Sequence, residues 1–107
     1  MAVNLIDIAS VIRSKNAGPY ELTLDIIFSN RKWYEKVTAA RGIDRALISR
    51  LYQVKETDIL ELVEFEPAAA IKITMRRPRV AGDVGETDVY GAQQHAPLLG
   101  IVLDITP

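Results

Sequence analysis

Apolar and polar positions alternate with a period of two over four stretches of this chain. From Glu21 to Phe28, Leu22, Leu24, Ile26 and Phe28 fall on one side and Glu21, Thr23 and Asp25 on the other, the signature of a half-buried strand. Ile27 breaks the polar side near its end. Ile59 to Phe65 predicts a second strand, closed by Pro67. Ile71 to Arg76 predicts a third, with Ile71, Ile73 and Met75 facing one way and Lys72, Thr74 and Arg76 the other. Leu99 to Ile105 predicts the last, with Leu99, Ile101, Leu103 and Ile105 on one face.

Helical spacing appears between the first two of these strands. Asn30 is placed to cap a helix that carries Trp33, Val37 and Ala40 along one stripe and stops at Gly42. Asp44 is placed to cap a second, with Leu47, Ile48 and Leu51 inward and Arg45 and Arg50 outward. Near the N-terminus, Asn4 to Lys15 satisfies two templates. Leu5, Ile8, Ala9 and Ile12 fit a helix behind Asn4, whereas Ile6, Ile8 and Ile12 fit one face of a strand; a short helix is the preferred reading. Arg13 to Pro19, RSKNAGP, holds Asn16, Gly18 and Pro19 and predicts a loop.

These elements predict a single α+β domain over residues 1–107, a two-layer sandwich with helices on one face of a four-stranded sheet. The sheet is expected to be antiparallel or mixed, because Glu66 to Ala70 is too short for a parallel crossover between the second and third strands. The architecture is ferredoxin-like in the broad sense. One face of the sheet is buried, and the other is wet or covered by a partner.

Composition narrows the function classes. Thirteen basic and fourteen acidic side chains give a formal charge of −1, which removes the electrostatic case for a general nucleic-acid binder. The absence of cysteine excludes disulfides, thiolate metal sites and a cysteine nucleophile. With one histidine, a zinc site would need a carboxylate majority, so no metal and no cofactor is expected. No Walker-type or GxGxxG phosphate loop is present, and none of the serines has a GxSxG context. No signal peptide and no apolar window of membrane-spanning length is visible, so a cytoplasmic location is the expectation.

Candidate chemistry concentrates in DVYGAQQHAPLLG, from Asp88 to Gly100, within a patternless stretch from Pro78 to Pro97. His95 is the only side chain there whose charge changes near neutral pH, which makes it the candidate acid-base group or a tie for loop backbone. Gln93 and Gln94 can hydrogen-bond a carboxylate or amide, or stitch the loop; Asp88 and Tyr90 can orient His95, or stabilise the loop. Arg13, Ser14, Lys15 and Asn16 complete the candidate binding set. If the first clear strand and the last are neighbours, Arg13, Lys15 and Asn16 face Tyr90, Gln94 and His95 around a carboxylate-sized gap. Arg76, Arg77 and Arg79 form a basic knot that suits a solvated strand end or an anionic contact.

RSKNAGP, ELTLDIIF and DVYGAQQHAPLL resemble the signature stretches of a family of small stand-alone bacterial proteins classed only as a domain of unknown function. An RS-containing loop before the first clear strand is also similar to the C-terminal ferredoxin-fold domain of the acyclic terpene utilisation (AtuA) family. There the loop resembles RSGDKG, from which Lys15 and Asn16 depart. That resemblance implies metabolism of branched acids as coenzyme A thioesters. It implies an accessory or small subunit contributing a polar loop site to a larger AtuA-like chain. The alternatives are a free-standing enzyme on a small carboxylate or acyl-CoA, with His95 as acid-base and Arg13 and Lys15 holding the anion, and a structural homo-oligomer.

Overall fold

The computed structural model describes residues 2–18, 20–76 and 95–105. In chain order the elements are β1 (Ala2–Asn4), the single turn α1 (Leu5–Ile8), β2 (Ala9–Asn16), β3 (Glu21–Phe28), α2 (Arg31–Ala39), α3 (Arg45–Tyr52), β4 (Ile59–Phe65), β5 (Ala70–Arg76) and β6 (Val102–Asp104). A 3₁₀ turn spans Ala96–Gly100. Two hairpins, β2 with β3 and β4 with β5, join side by side into an antiparallel sheet of order β2-β3-β5-β4. This four-stranded sheet, backed on one face by helices, is the expected two-layer α+β sandwich and is compatible with a ferredoxin-like arrangement.

The core forms where the period-two faces meet the helices. Leu22, Leu24, Ile26 and Phe28 of β3 and Ile71, Ile73 and Met75 of β5 are buried in one cluster with Tyr34 and Val37 of α2 and Ile48 and Tyr52 of α3. Both caps form as the sequence predicts: the Asn30 side chain accepts from the Trp33 amide and the Asp44 side chain from the Leu47 amide, each at 2.9 Å. The α2 stripe differs in one position, since Tyr34 is buried where Ala40 is exposed. Trp33 packs half-buried against the cluster, with the Lys36 ammonium 5.8 Å from its ring centre.

Three expectations are corrected. Only Leu5–Ile8 of the region from Asn4 to Lys15 is helical; Ala9–Asn16 is a strand paired with β3 along its length, with a register shift between Ala9 and Val11. Its local periodicity suits a helix as well as a strand, and the backbone partners offered by β3 decide. The stretch from Arg13 to Pro19 is accordingly not all loop. Arg13 to Asn16 end β2, and the reversal is made around Gly18, at φ 124°, with the Ala17 amide donating to the Glu21 carbonyl at 3.0 Å. Finally, the last apolar run does not join the main sheet. Ala96–Gly100 takes a 3₁₀ turn begun by Pro97, and β6 pairs with β1 in a separate two-stranded sheet. Ile101, Leu103 and Ile105 are buried as the alternation requires, but Leu99 is exposed. Among the described residues, no helix is long and apolar enough to cross a membrane.

Candidate functional site

Because Arg13 to Asn16 lie on a strand, their side chains part to opposite faces. The register sets Arg13 opposite Asp25 and Lys15 opposite Thr23, on the face turned away from the helices; it sets Ser14 opposite Leu24 and Asn16 opposite Leu22, on the core side. The Arg13 Nε donates to the Asp25 carboxylate at 3.0 Å, while Lys15 is exposed beside Thr23. Ser14 is 7% exposed and Asn16 half-buried. The four predicted binding residues on β2 therefore form two pairs, one cationic and outward, the other neutral and inward.

His95 precedes the 3₁₀ turn, and its carbonyl accepts from the Leu98 amide at 2.9 Å. Leu98 is fully buried in the core, and the turn packs against α1 and α3, which puts half-buried His95 on the helix side of the molecule. That is the side shared by Ser14 and Asn16 and opposite to that of Arg13 and Lys15. The condition for a meeting of loops through neighbouring strands is not met, since β3 is flanked by β2 and β5 while β6 pairs with β1. Asp88, Tyr90, Gln93 and Gln94 lie outside the described residues, as do Arg77 and Arg79 of the basic knot. Arg76 ends β5 opposite Glu21.

The outward face has a definite layout. Lys15, Thr23, Thr74 and Glu61 align across the four strands, and the next row is Arg13, Asp25, Lys72 and Val63. A third row, Val11, Ile27, Ala70 and Phe65, is entirely apolar. Phe65 is 52% and Val63 43% exposed, and neither belongs to the core cluster.

Two tyrosines carry perturbed protons on the helix side. Burial pushes the Tyr52 hydroxyl far above the usual tyrosine value. Burial also raises Tyr34, assisted by the Glu64 and Glu66 carboxylates and opposed by Arg31. Both stay neutral at physiological pH.

A sizeable cavity lies elsewhere, between the turn joining α2 to α3 and the helix side of β4, and it is lined by none of the residues predicted as a site. It includes Arg41, Arg45 and Glu64. Sequence patterning marks Arg45 only as outward-facing; its guanidinium instead turns to donate to the Ile59 carbonyl. The one local hint was the order Arg41-Gly42, with arginine just ahead of the glycine expected to end α2.

No curated protein and no solved structure matches the chain. A family model does, over residues 5–102, nearly the whole length, including β2 with its hairpin turn and the segment that leads into His95. The chain belongs to the family described as Domain of unknown function (DUF4387).

Proposed function

We propose that this chain is an accessory subunit that docks through the outward face of its sheet on a larger AtuA-like chain engaged in acyl-CoA or branched-acid metabolism. The observation that carries the reading is the outward face itself: an apolar row ending in exposed Phe65 beside two rows that hold Arg13, Lys15, Asp25 and Lys72. Interfaces of this mixed kind have a dry centre and a charged rim. The apolar row supplies the dry contact; Arg13 and Lys15 bring cations to the boundary with the partner, where a carboxylate or the phosphates of a coenzyme A thioester would be met. A subunit of this kind lends binding groups to a site whose remainder stands on the other chain.

The reading predicts that the native genome encodes a large AtuA-like chain beside this one, and co-expression of the two tests it. Co-elution of the two, lost on Phe65→Asp with the fold retained, is the expected result. Elution of the wild-type chain as a homodimer that Phe65→Asp dissociates would replace the larger partner with a second copy. Activity of the chain alone on an acyl-CoA or small carboxylate, abolished by His95→Asn, would replace the subunit with a free-standing enzyme.

A further inference from the structure

The cavity at the α2–α3 turn has the makings of a binding site independent of any assembly. Its volume of about 660 Å³ falls in the range that accommodates small molecules. Ile43, which is buried, and Leu62, which is half-buried, give it an apolar lining. Its charges come from two stretches of the chain: Arg41 and Arg45 from the turn and the start of α3, Glu56 and Glu64 from the segment before β4 and from β4 itself.

All four side chains are exposed at the rim of the cleft, where their charges can reach a bound molecule. Here none of these four forms an ion pair within 4.0 Å among the described residues. Asp44, also in the lining, is engaged as the cap of α3 through the Leu47 amide. Arg45 is steadied by its hydrogen bond to the Ile59 carbonyl, which leaves the rest of its guanidinium fork for another acceptor. Arg41 has no side-chain partner among the described residues, and it occupies a left-handed backbone conformation at φ 51° that glycine would take without strain. At the neighbouring Gly42, a Cβ would lie 3.1 Å from a Leu103 methyl, a close approach of the turn to β6.

We infer that this cleft binds a small zwitterion, its carboxylate held by Arg41 and Arg45 and its ammonium by Glu56 and Glu64. A bare anion would meet the two glutamates, and a bare cation the two arginines. A molecule carrying both charges satisfies both sets and replaces the contact that the side chains do not make with each other.

Amide-resolved NMR titration of the full chain tests this with glycine, diglycine and 4-aminobutyrate, which differ in the separation of their charges, and with acetate and methylammonium as the two halves. Saturable shifts at residues 41–46 and 62–64 are expected for at least one zwitterion at or below about 10 mM, and none for either half alone. Arg41→Gly and Glu64→Gln should each weaken binding by at least about tenfold. The Arg41→Gly chain should melt no lower than the wild type, because it loses the guanidinium and relieves the backbone together. No saturable shift with any zwitterion, equal binding of acetate, or binding unchanged in both variants would each overturn the assignment.

Discussion

The two faces of the main sheet are built from the same four strands and do opposite things. The helix side of β3 presents Leu22, Leu24 and Ile26 with no accessible surface, whereas one residue along, the outward side presents half-buried Glu21, Asp25 and Ile27, with Thr23 buried between its strand neighbours. A strand has only two sides, so each residue is committed to one of them by its position in the register. The comparison teaches that apolar character alone does not say which face is core. Ile27 and Phe65 are as apolar as Ile26 and Phe28, yet they lie on the side that none of the described helices covers.

The sharpest way to break the comparison is to shorten neighbours across it. Ile26→Ala removes fully buried methyl groups and leaves a cavity among α2, β3 and β5, for which a loss of about 2–5 kcal/mol is expected in urea unfolding. Ile27→Ala, one residue along on the outward side, should cost about 1 kcal/mol. Equal losses would mean that the outward face is as fully packed as the core.

A second measurement uses alkali. Tyr52 and Tyr34 are held neutral on the helix side, so the folded chain keeps their protons above the ordinary tyrosine value of 10.0 at which the unfolded chain releases them. Their contribution is fully present below that pH. Above it the unfolded state binds fewer protons, and stability should fall by at most about 1.4 kcal/mol per pH unit for each tyrosine. Tyr52→Phe should remove its share of that slope; a slope unchanged in the variant would count against burial as the cause.

Smaller effects separate the helices from the sheet they cover. Asp44→Ala removes the side-chain acceptor of the Leu47 amide and should cost about 1 kcal/mol, recovered in large part by Asp44→Asn. The smallest effect belongs to the outward face. A double-mutant cycle on Arg13 and Asp25, whose side chains are 60% and 15% exposed, should yield a coupling below about 1 kcal/mol that shrinks with added salt. A larger, salt-independent coupling would mean that something shields the pair from water.

Local chemistry was enough to locate β3, β4 and β5, both capped helices and the division of β3 and β5 into buried and outward sides. β3, β5 and the helices are set within a few residues, by alternation or by a side chain that accepts an amide three positions on, and β4 by an apolar-rich run closed by Pro67. Residues whose identity depends on a distant partner were not legible in this way. Ala9–Asn16 fits helix and strand alike until β3 offers it a row of backbone partners, and that pairing sends Arg13 and Lys15 to one face and Ser14 and Asn16 to the other. Val102–Asp104 alternates as well as any strand, but β1, far away in sequence, takes it out of the main sheet. The cleft between the α2–α3 turn and β4 likewise exists only once the helices are laid on the sheet. Periodicity and caps are properties of neighbours along the chain, whereas strand partners and cavities are properties of neighbours in space, which only the closed fold selects.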